Sequence, residues 1–143
     1  MLLNLPKMLV PELYGILYGM GHGDDIVIAD ANFPAAANAK RLCLMPGLSA
    51  TESLELILSF IPIDTYVAHP IAYMAVAEGD SYAPDIWGDF GRIMKDKAGS
   101  APNARFLSRA EFYAAARDSY AIVHTGEQRL YGNIIVKKGV ISG

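Results

Sequence analysis

Cysteine is almost missing from this 143-residue chain. Cys43 stands alone, which excludes an intrachain disulfide, and its neighbours Leu42 and Leu44 predict an ordinary buried thiol. Charge is sparse as well: 19% of residues carry it and the net charge is −3, so there is no basic field to hold nucleic acid. Long hydrophobic runs are absent. The stretch from Thr65 to Ala77 is uncharged but too short to span a bilayer as a helix, so no membrane partner is expected. No basic region leads an apolar run at the start, where Pro6 and Lys7 intervene, so no signal peptide is expected. Repeats, low-complexity tracts and linkers are missing too. Together these absences leave a cytoplasmic, soluble chain with a single domain over residues 1–143.

What is present is apolar. Such residues make up 52% of the chain, and we expect part of that surplus to cover a subunit interface. Leu13, Ile16, Leu17 and Met20 recur at helical spacing, with Pro11 suited to the first turn and Gly21 to the C-terminal cap. Asp25 to Ala29 is apolar on both alternating faces, as in a central strand covered on each side. Arg41–Met45 reads as a second strand, after a Pro- and Ala-rich connection over 32–38. Ser49 and Glu52 have capping-box spacing and open a helix with its stripe on Leu54, Ile57, Leu58 and Ile61. Further strands are predicted at Ile71–Ala77, Ala104–Leu107, Tyr120–His124 and Asn133–Lys137. Helices are predicted at Pro84–Lys97 and, behind a Ser108/Glu111 capping box, through Asp118. This alternation predicts a three-layer α/β/α fold around one central, mostly parallel sheet.

The residues with chemistry cluster in a few places. His22 lies between Gly21 and Gly23, where the backbone is free to place an imidazole that titrates near neutrality. It reads either as an acid–base group or as a structural histidine. A metal site from His22, Asp24 and Asp25 lacks the paired His or Cys spacing of such sites. Asp30, after four apolar residues, is either a site carboxylate or a cap for the segment after Pro34. Arg109 at a helix start is disfavoured by the macrodipole, and reads as a solvated side chain or as a clamp for hydroxyl or carboxylate. Tyr131-Gly132-Asn133 suits hydrogen bonding to a polyol, though ordinary turns share that composition. His69 and His124 read as structural, and Phe112, Tyr113 and Ala116 as core.

Taken together, several segments resemble the RbsD/FucU family of sugar mutarotases. They are Pro11-Glu12-Leu13, Met20-Gly21-His22-Gly23-Asp24, residues 30–35 (Asp-Ala-Asn-Phe-Pro-Ala), Asp64-Thr65-Tyr66 and Glu78-Gly79-Asp80. Phe112-Tyr113, Thr125-Gly126-Glu127, Tyr131-Gly132-Asn133 and residues 137–140 (Lys-Lys-Gly-Val) continue the match in order and distance. The fucose branch is the more similar; Asn32 stands where some of its members carry a second histidine.

The resemblance implies an isomerase that interconverts the α and β anomers of L-fucose or a similar sugar by opening its ring. A ribose-type pyranase and a non-catalytic sugar-binding protein are the alternatives. It implies His22 as proton donor, with Asp30, Arg109, Tyr131, Gly132 and Asn133 on the sugar and Asp64 as a further hydroxyl-binding residue. It also implies a ring-shaped homo-oligomer, a decamer, in which the Tyr131-Gly132-Asn133 segment reaches a neighbour's pocket. Ring opening transfers no electrons or groups, so no cofactor and no metal is expected. One geometric difficulty accompanies these assignments. The strand from Asp25 to Asp30 spans roughly 16 Å, so His22 and Asp30 meet only if the glycine-flanked loop folds back or a second chain joins the two ends.

Overall fold

Four apolar residues following Asp25 occupy the middle of the structure. In the computed structural model, which describes residues 1–143, they belong to β1 (Asp25–Ala29), and all four are buried. Around it the chain forms α1 (Pro11–Gly19), α2 (Ala35–Asn38), β2 (Leu42–Met45), α3 (Ala50–Leu58), β3 (Ile71–Met74), α4 (Ile86–Ala98), β4 (Ala104–Leu107), α5 (Arg109–Asp118), β5 (Ala121–Thr125) and β6 (Ile134–Lys137).

The six strands make one sheet in the order β2-β5-β1-β6-β3-β4. β1 and β2 pair parallel with β5, and β3 pairs parallel with β4. β6 is antiparallel to both of its neighbours, β1 and β3. The other strands therefore all run one way, and a single reversed strand sits inside the sheet. Their carboxyl ends, and the start of β6, share one edge. The start of β1 and the end of β6 share the opposite edge.

Strand alternation sends side chains to both faces. Ile26 and Ile28 pack with Leu13, Leu54, Ile57, Phe90 and Met94 beneath α1, α3 and α4. Val27 and Ala29 pack with Phe33, Phe112, Ala116 and Ile122 beneath α2 and α5. Each large side chain fully buried in this way contributes about 1.5–3 kcal/mol of transfer free energy. The α/β architecture, with helices on both faces of a mostly parallel sheet, is thus the one the sequence predicts. Both capping boxes form, at Ser49/Glu52 and at Ser108/Glu111. Cys43 is buried, and that burial, reinforced by the nearby Glu12 charge, pushes its thiol up to about 11. No helix is long and apolar enough to cross a membrane.

Two boundaries differ from expectation. α1 ends in an extended Met20 rather than at Gly21, because Met20 turns into the core while the Gly21 N–H is taken by Asp24 Oδ2 at 2.7 Å. β3 stops at Met74 instead of continuing to Ala77. Its ladders run out there: Tyr73 pairs with Ile134, the first residue of β6, and Met74 with Leu107, the last of β4. Ala75 makes one more bond, to the Leu107 carbonyl, and the chain then leaves the sheet.

Candidate active site

A cleft of about 660 Å³ opens where the strands end. Its wall comes from four places: the residues after β1 (Asp30, Asn32, Phe33), those after β3 (Met74–Ala77, Glu78, Asp80), the start of α5 (Ser108, Arg109, Tyr113) and the segment leading into β6 (Leu130, Tyr131, Asn133). Clefts outside the carboxyl ends of parallel strands are where open α/β sheets bind ligands, since loops of several strands converge there.

Asp30 and Asn133 form the floor, and both are buried. The Asp30 N–H donates to Asn133 Oδ1 at 2.8 Å, and Asn133 Nδ2 donates back to Asp30 Oδ2 at 3.0 Å. The other carboxylate oxygen accepts the Asn32 N–H at 3.0 Å. Burial raises the Asp30 carboxyl above its usual range, and these donors only partly oppose the rise. Of the two sequence readings of Asp30, the cap is excluded: α2 begins behind Pro34 with no side-chain cap.

Arg109 stands at the rim, and none of the chain's ion pairs includes it. Its Nε donates to Tyr113 Oη at 3.3 Å, and its guanidinium lies 5.4 Å from the centre of that ring. The core assignment of Tyr113 is therefore a correction. Phe112 and Ala116 are buried, but Tyr113 lies on the cleft side of α5, against the edge of Phe33 at 5.3 Å. The i, i+4 spacing from Arg109 was the available signal. Tyr131 and Asn133 line the cleft of their own chain. The sequence gave no role to Asp80, which accepts the Tyr131 hydroxyl proton at 3.0 Å, nor to buried Glu127. Glu127 Oε1 accepts the Arg129 backbone N–H and Nε, while Arg129 Nη1 reaches Asp89 at 2.7 Å.

His22 is not in this cleft. The loop does not fold back toward Asp30: the Gly23 N–H donates to the Lys138 carbonyl, Lys138 N–H to the Asp24 carbonyl and Lys137 Nζ to the Gly23 carbonyl. Gly23 has φ +86°, a left-handed conformation that costs glycine nothing. His22 is thereby fixed at the opposite edge of the sheet. There Asp64, delivered by the Ile63–Lys138 bridge and its own N–H bond to the Lys137 carbonyl, meets the imidazole Nε2 at 3.0 Å. The carboxylate is buried while the ring remains half exposed. Burial pushes the Asp64 carboxyl up, but the N–H groups of Tyr66 and Thr65 together with His22 outweigh it and hold the carboxyl below its ordinary range. An ionised carboxylate only accepts, so Nε2 bears the hydrogen and Nδ1 is left for chemistry. Asp64 thus touches His22 rather than lining the cleft. Asp24 and Asp25 turn elsewhere, Asp24 to Gly21 and Asp25 to Lys137 at 3.0 Å. His69 and His124 each bond a backbone carbonyl, of Asn103 and Ala31 respectively.

An open α/β sheet with a polar, aromatic-walled cleft at its carboxyl edge defines a class of proteins built to hold small polar ligands. Within that class, the chain belongs to the RbsD / FucU transport protein family, whose sequence model matches residues 3–141. It is 41% identical over 140 residues to the L-fucose mutarotase of Haemophilus influenzae (strain PittGG), covering 98% of this chain and 97% of that one. It is 38% identical over 145 residues to the human fucose mutarotase, covering 97% and 94%. A crystal structure of the fucose mutarotase from Streptococcus pneumoniae in complex with L-fucose superposes with a TM-score of 0.93 at 42% identity, covering 99% of this chain and all of the other. The Bacillus subtilis RbsD complexed with D-ribose, at 22% identity and a TM-score of 0.69, shares the fold.

Proposed function

We propose that this protein is a sugar mutarotase that interconverts the α and β anomers of L-fucose or a closely similar monosaccharide in the cytoplasm. The observation that carries the reading is the cleft itself: a buried Asp30–Asn133 pair, an unpaired arginine and aromatic walls, in a chain whose relatives include fucose mutarotases, one of them with L-fucose bound. Arg109 and the Asp30–Asn133 pair orient the hydroxyls, and the Tyr131 ring takes the apolar face of the pyranose. A proton is delivered to the ring oxygen as the bond from that oxygen to the anomeric carbon breaks. A second proton leaves the anomeric hydroxyl, and Asp30, kept basic by burial, is the carboxylate at hand to receive it. The open-chain aldehyde turns and recloses on either face. The protonated imidazole of His22 is the donor, through Nδ1.

His22 reaches the ring only from another copy, so the working unit is an oligomer in which one subunit's His22–Asp64 pair closes a neighbour's cleft. A closed decameric ring satisfies this at every site. Exposed Tyr66 and Val67 beside Asp64 support such an interface, because they place apolar surface where the second chain would pack.

Saturation-transfer NMR on L-fucose, D-ribose and related sugars tests the activity, and acceleration of L-fucose anomer exchange is the expected result. Pyranose–furanose exchange of ribose as the largest effect would favour the pyranase, and binding without acceleration would favour a plain sugar binder. His22→Ala should lose ~10²–10⁴-fold of the rate. Mixing that variant with Asp30→Asn, after dissociation and reassembly, tests the shared site. Each site then draws its histidine and its cleft from independently chosen subunits, so about a quarter of the sites should become whole. No recovery would place His22 and Asp30 in one chain's site.

A further inference from the structure

Tyr131 has φ +58°, a left-handed conformation that residues with a Cβ seldom adopt. Such backbone persists where its surroundings over-determine it, and here they do. Trp87 Nε1 donates to the Tyr131 carbonyl at 3.2 Å. The Tyr131 hydroxyl accepts the Ala77 N–H at 3.1 Å and donates to Asp80 Oδ2 at 3.0 Å. The Tyr82 ring stacks on its ring, with centres 6.0 Å apart.

Asp80 is itself prepared for this task. Its N–H closes a turn onto the Ala77 carbonyl at 3.0 Å, with Gly79 at φ +85° as such a turn requires. Its other oxygen accepts the Tyr82 N–H at 2.9 Å. The turn over 77–80 thus presents one donor and one acceptor to a single phenol. The hydroxyl proton of Tyr131 is already committed to Asp80, so a ligand in the cleft meets the ring face.

We propose that Asp80 is a positioning residue, which holds the Tyr131 ring in place for the sugar by accepting its hydroxyl proton. This rests on the mutarotase reading for its kinetic arm and on geometry alone for its spectroscopic arm. Asp80→Ala should raise the KM for L-fucose about five- to tenfold, the worth of one hydrogen bond, while kcat at saturating sugar changes less than about twofold. Tyr131→Phe removes the same bond from the other side, so the double variant should be no worse than either single. Asp80→Asn keeps an acceptor oxygen and should recover most of the loss.

Trp87 is the only tryptophan, so its indole N–H gives one resonance, and in the sugar-free protein that resonance should move in Asp80→Ala and Tyr131→Phe alike. Losses that add in the double variant, with an unmoved indole signal, would mean that Asp80 meets the sugar directly and would overturn the proposal. An unchanged KM together with an unmoved signal would overturn it as well. Wild-type protein that leaves L-fucose exchange at the buffer rate would sink the mutarotase reading, and the indole resonance would still decide whether Asp80 positions Tyr131.

Discussion

Asp30 and Asn133 offer a swap whose outcome the hydrogen bonds dictate. Asp30 has only acceptors, and it meets two donors, the Asn32 N–H and Asn133 Nδ2. Asp30→Asn sets an amide NH₂ against one of them, leaving donors face to face in a buried site at a cost of about 1–3 kcal/mol. Asn133→Asp instead sets two carboxylates about 3.0 Å apart. At an effective dielectric near 20 their repulsion is roughly 5 kcal/mol, which uptake of a proton by one of them relieves in part. The double variant carries both changes and restores every bond in mirror image. The amide now at position 30 still accepts from Asn32 and donates to the carboxylate at position 133, which still accepts the backbone N–H of residue 30. Its stability should return to within about 1 kcal/mol of the native chain, giving a coupling of about 3 kcal/mol or more between the two positions. Urea unfolding at one fixed protomer concentration measures this, because association contributes to apparent stability. A double variant as unstable as the sum of the singles would refute the reasoning. Its mutarotase activity should stay low even when fully folded, because the carboxylate has moved across the cleft.

Three further outcomes follow from neighbouring features. A Cβ on Gly126 would overlap the Pro46 carbonyl, a backbone atom with little room to yield, so Gly126→Ala should lower stability by about 1–3 kcal/mol in the same urea assay. Burial pushes the Glu127 carboxyl up, but its bonds to Arg129 prevail and hold its pKa below the ordinary value. Its contribution is therefore complete above the unfolded value of about 4.3 and is lost as pH falls through the lower folded value. Glu127→Gln should flatten the acid limb of stability against pH between those values; an unchanged limb would show that the Arg129 pairing does not carry it. Dilution into separate subunits should reduce L-fucose exchange per protomer if His22 serves a neighbour's cleft. Exchange that stays constant while light scattering reports monomers would exclude the shared site.

Much of the scaffold was legible because local pattern and global packing agree. The apolar run of β1, the two capping boxes and the short β4 each carry their own signal, and each forms where that signal lies. The misreadings share another cause, which is long-range competition. Asp30 looked like a helix cap within its own segment, but its partner Asn133 lies 103 residues away. β3 looked three residues longer because nothing in its composition marks where the facing strands end. Asp64 lies 42 residues from His22, and the two meet only because the end of β6 draws both toward Lys137 and Lys138. Tyr113 was assigned to the core from its stripe, when its spacing from Arg109 already allowed a place on the cleft side.

The reversed strand explains why the candidate residues divide into two groups. β6 starts at the cleft, next to Asn133, and ends at Lys137, beside the loop that holds His22. It is hydrogen-bonded to β1 along the way, from Ile28↔Ile134 to Asp25↔Lys137. Asp30 and His22 are therefore held at the two ends of one rigid ladder, and no loop movement brings them together without unpairing β1 from β6 or β5. Evolution of a longer His22 loop would be the simple remedy in a monomer, yet this loop is pinned to Lys137 and Lys138 by three hydrogen bonds. A histidine fixed so firmly on the far edge, half exposed and backed by a buried carboxylate, is shaped to act outward. On the mutarotase reading, association of copies is thus a chemical requirement as well as a means of covering apolar surface.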